Sequence, residues 1–414
     1  MKTRLASFWF AYMAGFGVFF PLYSLYLQDG LGLAESRVGL VMSVIPLVGL
    51  VTQPLWGQAA DRTGSRRLVL VLLAVGMAVA SLSVLRVDGF VGVLLATAFV
   101  AVFSTAILPM ATAVTLATLA RAGGAAAFGQ VRMWGTIGFL TAVLVFPRLL
   151  PLLDGLGADR SGELSLPGIG LLPAGLRWMF PVIAAFSLLA ALLAARLPTT
   201  PELGLRALRG DSLRLLRHAP VARLLAFTFA AHLCLQGPIN LFPLLVTARG
   251  GDVSSISGMW VAMLALEIPL VGFAGFTLRR FGARGLLRIG LAAEGLRWMV
   301  SAFTHDLALM GAMQLLHGVG VAGVIIGGPL YLEESVPERL RSTGQALISS
   351  VGFGLAAILS IAAGGWLIER FGPTLPYAAA GTGAFVLALL VRRLLPEPAR
   401  PDESTLREIL PAQR

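Results

Sequence analysis

Along most of this chain apolar residues come in long runs, separated by short clusters of charge and by glycine or proline. Residues 38–56 and 68–85 carry no charge at all, and runs of that length match the roughly 20 residues an α-helix needs to cross a bilayer core. Apolar length bounded by charge predicts twelve such helices, at 7–28, 38–58, 68–86, 90–118, 126–147, 176–195, 221–247, 256–278, 285–304, 307–332, 343–368 and 374–394. Pro21, Pro46, Pro54, Pro109, Pro269 and Pro329 fall inside them, which a membrane helix tolerates because its neighbours satisfy the freed backbone groups. The expected fold is therefore an all-α membrane protein. The basic start and apolar run at the N-terminus also fit a signal peptide, but the run is too long and has no clear small-residue cleavage site. It is expected to stay as the first span.

Composition agrees: 57% of residues are hydrophobic and only 13% charged, with a mean hydropathy of +0.83, against about 25% charged in soluble domains. Lipid is the solvent for most of the chain. A net charge of +11 raises nucleic acid as a partner, yet the arginines lie in short connections rather than along one surface stripe. Lys and Arg concentrate on one side of the membrane, 23 of them (Lys2, Arg4, Arg62, Arg66, Arg67, Arg279, Arg280, Arg284, Arg288, Arg392 and Arg393 included), while the other side holds 7 (Arg37, Arg86, Arg148, Arg160, Arg177, Arg249, Arg370). By the positive-inside rule both termini are cytoplasmic, which places the chain in a plasma membrane, the inner membrane of a bacterium. The single cysteine, Cys234, allows no internal disulfide and no thiolate cluster, and four histidines show no ligand spacing. No metal and no cofactor are expected. The expected partners are a small-molecule substrate and the lipid bilayer, with the chain working as a monomer.

Residues 148–175 are rich in Gly, Pro, Asp and Ser, too broken for a span, and read as an outer loop. Residues 196–220 are the natural boundary between halves at 1–195 and 221–395, and SLRLLRHAPVARLL at its end fits a basic amphipathic helix on the anionic inner leaflet. A polar tail follows at 396–414. An internal repeat supports the halving. Phe20-Pro21-Leu22 answers Phe242-Pro243-Leu244, Gly57 answers Gly275, Gly64 answers Gly282, and Gly129-Gln130 answers Gly344-Gln345, in order and at nearly constant offset. Such a repeat predicts two six-helix bundles of common design.

Between the second and third spans stands Gly57-Gln58-Ala59-Ala60-Asp61-Arg62-Thr63-Gly64-Ser65-Arg66-Arg67. Asp61 at the inner end of a span can accept hydrogen bonds from a neighbouring helix start, and Arg62, Arg66 and Arg67 can bridge to the other bundle, gating the inner side. Gly57 and Gly64 allow the close approach and tight turn this needs. The plain alternative is an ordinary basic loop. In the second half Arg279 stands where the aspartate would be.

Charged side chains inside spans are costly and read as functional. Glu267 sits at mid-span in the eighth helix, Arg297 in the ninth with Glu294 three residues before it on nearly the same face, and His317 in the tenth, three residues after Gln314. Burial and a nearby Arg297 act on a Glu267 proton in opposite senses, as a mobile proton site requires. A static Glu267 to Arg297 ion pair and a packed His317 are the competing readings. In the first half Arg132 can bind a carboxylate or hydroxyl of a substrate through its fork of donors, or only snorkel. Gln53, Trp56, Tyr23 and Tyr26 can supply an amide and aromatic wall, each tyrosine being equally suited to packing. His232, Gln236 and Asn240 recur every four residues on the seventh span, a polar stripe that suits a cavity.

The Gly57 to Arg67 turn resembles the loop signature of the major facilitator superfamily. FFPLYSLYLQDGLGLAESRVGL, FGQVRMWGTIGFL, Glu267-Ile268, Arg297-Trp298 and Gln314-Leu315-Leu316-His317 resemble its proton-coupled branch, which includes the phenylpropionate, nucleoside and, more distantly, lactose permeases. The resemblance implies two pseudo-symmetric six-helix bundles, and it sets the proton and sugar residues of that branch on Glu267, Arg297, His317 and Arg132. There are departures. The glutamate expected three residues after the histidine is Gly320, the fourth-span glutamate falls near Val114, and the tryptophan that stacks on galactose is Phe139, which speaks against a galactoside.

The expected function is proton-coupled symport of a small organic solute, such as an aromatic acid, nucleoside or oligosaccharide, by rocking of the bundles about a central site. Proton-driven efflux of drugs or metabolites is the alternative, and outside transport a non-transporting receptor or scaffold. An enzyme is not expected, since no nucleophile with its base and no metal cluster is visible.

Overall fold

The computed structural model describes residues 1–119, 124–157, 164–166, 170–172, 175–198, 211–272 and 274–397. Its long helices are α1 (Lys2–Leu25), α2 (Glu35–Thr63), α3 (Arg66–Ser83), α4 (Gly89–Leu119), α5 (Gly124–Gly157) and α6 (Met179–Ala195). Then come α7 (Ala219–Asn240), α8 (Val253–Gly272), α9 (Ala274–Phe303), α10 (Leu307–Ser335), α11 (Leu340–Phe371) and α12 (Thr374–Leu394). Among the described residues, 11 helices are long and apolar enough to cross a membrane. The remaining long helix, α9, is two helical pieces joined across a kink at Gly282, and the piece after the kink carries Arg284, Arg288, Glu294 and Arg297 among its apolar residues.

The turns follow local chemistry. Gly64 ends α2 at φ 61°, and Ser65 then caps α3 by accepting a hydrogen bond from the Leu68 amide at 3.2 Å. Gly282, its counterpart in the repeat, takes φ 65° and kinks α9 at the matching place. Only glycine adopts that backbone cheaply. The other repeated motif diverges: Pro21 lies inside a continuous α1, whereas α7 stops at Leu241 and a short helix, Phe242–Ala248, follows. Pro243 has no amide hydrogen and clashes with the preceding turn, and there the helix breaks.

Two expectations are corrected. Residues 148–157 are not loop, because α5 continues through Pro147 and Pro151 to Gly157, carried by the apolar LLPLL stretch. Beyond it Leu164–Leu166 pairs antiparallel with Gly170–Leu172, the one strand pair among the described residues. The expected surface helix over 212–225 is split: a short helix at Asp211–Arg217, whose Leu215 is fully buried in the neighbouring core, ends before His218, and the rest is the first turns of α7. Residues 199–210, the tail from 398 onward and the Arg279 side chain lie outside the described residues.

By packing, the chain forms two compact units, Met1–Gly204 with Phe242–Val261, and Leu205–Leu241 with Ala262–Arg414. In the first, α1 lies flush against α5. A side chain at Gly17 would come within 2.7 Å of the Phe139 carbonyl, and one at Gly138 would collide with the Phe10 backbone, the small-residue contact by which membrane helices gain van der Waals energy. In the second, Leu224, Leu287, Leu291, Leu340 and Val391 build the core. Both α10 and α11 carry a π turn, at Val321–Ile326 and Ser350–Ala356, an irregularity frequent at functional sites.

Candidate functional site

In the second unit α9 sets Glu294 and Arg297 one turn apart, both buried, with Arg297 0% exposed. A guanidinium is stable at such depth only if its donors are matched. Arg297 Nη1 donates to Glu294 Oε2 at 3.0 Å and to His317 Nδ1 at 2.9 Å, Nε donates to Gln314 Oε1 at 2.8 Å, and Nη2 reaches Met263 Sδ at 3.5 Å. Gln314 is itself pinned, its amide nitrogen donating to the Met310 carbonyl at 2.8 Å. It is a positioning residue for Arg297 rather than part of a solute wall.

The carboxylate in the ion pair with Arg297 is Glu294, 3.0 Å away, and not Glu267, the partner in the competing static reading. Glu267 faces the other side of the imidazole, Oε2 lying 3.9 Å from His317 Nε2 with a quarter of the Glu267 side chain exposed. Backbone contact explains how α8 reaches α10, since a side chain at Gly318 would sit 2.5 Å from the Glu267 nitrogen. At Gly320 any side chain would collide with the Glu294 carboxylate. The signal for Glu294 was present in the sequence as an acidic residue three before Arg297, but helical spacing alone does not rank it above a mid-span glutamate on a neighbouring helix.

His232 and Gln236 of the polar stripe line a cavity of ≈ 70 Å³ together with Glu294, Arg297, His317 and Phe353. That volume admits about two waters. His232 Nδ1 bonds the Thr228 carbonyl at 2.9 Å, and its ring meets Phe353 edge-on at 4.9 Å. The third member turns away: Asn240 donates back to the Gln236 carbonyl at 2.8 Å.

In the first unit the Arg132 guanidinium lies over the Trp9 ring, 4.7 Å from its centroid, a cation–π contact. Trp9 is held by a 2.9 Å hydrogen bond to Thr115 on α4. Trp9 and Thr115 were missed from the sequence because neither is unusual in an apolar run. Phe139 packs with Phe16 at 6.0 Å and with Trp260 at 5.9 Å, and Phe20 meets Trp260 at 5.3 Å. Tyr23 and Tyr26 line no such wall. Tyr23 is 1% and Tyr26 0% exposed, Tyr23 bonds Thr97 at 2.5 Å, and Tyr26 meets Phe180 edge-on, the packing role open to them from the start.

Gln53 and Trp56 share a cleft of ≈ 250 Å³ with Gly57, Asp61 and Arg66, closed on the α4 side by Pro109 and Met110. Trp56 donates to the Val102 carbonyl at 2.8 Å. The wall and gate residues thus border one space in the first unit. Arg67 donates to the Leu197 carbonyl at 3.0 Å, within its own unit, where the end of α6 offers carbonyls to a cation. Arg62 is exposed. A side chain at Gly57 would meet open space, so no close approach depends on it here.

A multi-pass helical protein with a fully buried, carboxylate-paired arginine and polar cavities inside its helix bundles is by class a membrane transporter rather than an enzyme. The chain belongs to the MFS_1 like family, whose sequence model matches residues 2–379. It is similar to the maltose permease of Geobacillus stearothermophilus, 31% identical over 403 residues with 95% of each chain covered. It is also similar to a putative sugar efflux transporter of Deinococcus radiodurans, 27% identical over 361 residues, covering 84% of this chain and 86% of that protein. The solved structure of the nucleoside transporter NupG superposes with a TM-score of 0.79 over 95% of this chain and 99% of that one, at 18% identity, a likeness of fold. The major facilitator fold and the membership expected from the signature turn are thereby established.

Proposed function

We propose that this transporter of small organic solutes is a proton-coupled symporter, importing an oligosaccharide of the maltose class across the inner membrane of a bacterium by alternating access. The observation that carries the reading is Arg297, fully buried and tied to Glu294, Gln314 and His317. Ionisable groups so deep in a membrane protein are kept for proton or ion traffic, and static packing has no need of an imidazole inside an ion pair. Similarity to the maltose permease supports the solute class. Arg132 over Trp9 offers a donor fork on an aromatic face, which suits sugar hydroxyls and ring faces. Asp61 and Arg66 beside Gln53 and Trp56 suit an inner gate.

The test is uptake of labelled maltose into proteoliposomes with and without an imposed inward proton gradient. Accumulation above the outside concentration only with the gradient is expected, since each proton brings roughly 2.3 kcal/mol per 100 mV. Uptake that ignores the gradient refutes symport. Outward proton-driven antiport is the second reading, favoured by the similarity to the sugar efflux transporter; maltose expelled on acidifying the opposite face would establish it instead.

A further inference from the structure

Hydrogen-bond directions around His317 leave one contact without a hydrogen. Arginine only donates, so His317 Nδ1 is the acceptor in its 2.9 Å bond with Arg297 Nη1. The ring hydrogen is then on Nε2, the nitrogen turned toward Glu267. The same Nδ1 lies 3.3 Å from Glu294 Oε1. With Glu294 ionised, both atoms are acceptors: Arg297 Nη1 donates to each, at 2.9 Å to Nδ1 and 3.2 Å to Oε1, and the buried contact between them holds no hydrogen of its own. One added proton converts the contact into a hydrogen bond, whichever of the two atoms carries it. Resting on the symport reading above, we propose that Glu294 Oε1 and His317 Nδ1 together form the binding site of the coupling proton, with Glu294 rather than Glu267 as its carboxylate.

The surroundings fit a proton that comes and goes. On arrival it bonds to Oε1 and is donated to Nδ1, whose single lone pair then gives up the hydrogen of Arg297 Nη1; the net charge of the group rises by one, and the Glu294 to Arg297 ion pair gives way to a neutral acid beside a cation that keeps Glu294 Oε2 and Gln314 Oε1. On release the ion pair re-forms. Gly320 leaves the space that the Glu294 carboxylate fills. The charged and titratable groups facing the pair are Arg297 from α9, Glu267 from α8 across the ring, and His232 from α7 across the ≈ 70 Å³ cavity. From α12, Tyr377 packs on Trp298 and spends its hydroxyl on the Pro238 carbonyl at 3.1 Å. Two waters in the cavity suffice for proton entry.

The experiment uses the full chain in proteoliposomes with maltose as probe. At −100 mV one proton per solute sustains an accumulation of about 50-fold. Glu294→Gln is expected to bring that ratio close to one while maltose exchange across the membrane, which needs no net proton, falls no more than a few-fold. Accumulation by Glu294→Gln equal to the parent overturns the inference and leaves symport standing; a parent that never accumulates overturns both. If Glu294→Gln loses exchange as well, the double variant Glu294→Ala with Gly320→Glu returns a carboxylate to the same space from α10. Recovered accumulation supports the site, and none overturns it. A solute-free readout is pH-difference infrared spectroscopy of the purified protein, in which the band of a buried carboxylic acid should be present in the parent and absent from Glu294→Gln; its persistence overturns the assignment.

Discussion

The two units each place an arginine inside a helix bundle and surround it differently. Arg132 in the first is half-buried and lies over Trp9, among aromatic rings and a threonine hydroxyl. Arg297 in the second is fully buried and sits among a carboxylate, an imidazole and an amide. An aromatic face attracts a cation without neutralising it, by about 0.5–2 kcal/mol, so Arg132 keeps its charge over Trp9. A carboxylate at 3.0 Å both neutralises Arg297 and makes its state depend on one proton. From similar residues in a repeated fold, the first unit surrounds its arginine with rings and the second with ionisable partners, the contrast on which the proposed division into recognition and coupling rests.

The sharpest way to break that contrast is Arg297→Ala. It strands Glu294 as a buried charge, which costs about 3–5 kcal/mol. A large fall in melting temperature with loss of all uptake is expected, and Arg297→Lys should not rescue it, because a point charge cannot bond Glu294, Gln314 and His317 at once. Unchanged melting would show that the cluster carries no structural or electrostatic load.

A smaller effect should come from the other unit. Trp9→Phe removes the Thr115 hydrogen bond and weakens the cation–π contact, together about 1–2 kcal/mol. Half-saturation for solute should rise about tenfold while the dependence of uptake on the proton gradient keeps its shape. A changed gradient dependence would place coupling in both units.

The least effect is expected at a control site away from both clusters. Asp252 caps α8 by accepting hydrogen bonds from the Ser255 amide at 2.8 Å and hydroxyl at 2.7 Å, which hold its carboxyl below the usual carboxylate range. A group whose folded-state affinity for protons is lowered stabilises the protein above its unfolded range and loses that contribution as pH falls through the lowered value. Asp252→Ala should therefore cost about 1 kcal/mol at neutral pH, and its melting curve should converge on the parent's in acid. Transport by this variant should stay coupled.

The spans, the signature turn and the special glycine at Gly64 were legible because each depends on local properties: apolar length, charge between runs, and a backbone angle only glycine adopts. The candidate residues Arg297, His317, Gln236 and Arg132 were legible too, since a polar group in lipid must have a reason. Partner choice was not. Glu294 and Glu267 carry the same chemistry at similar depth, and no helical periodicity says which of them meets Arg297. That was decided by α10, whose bare Gly320 opens the space Glu294 fills while bare Gly318 brings α8 in beside the ring. Nor did the sequence show whether Tyr23 and Tyr26 pack or line a wall; Thr97 and Phe180 settled it by enclosing them.

The sequence by itself determined that this is a membrane transporter of the major facilitator kind, because lipid enforces helix length and makes every buried polar residue visible. Only the tertiary structure decided which polar groups meet, because hydrogen bonds of about 3 Å depend on how closely neighbouring helices approach, and that distance is set by side chains absent at particular glycines.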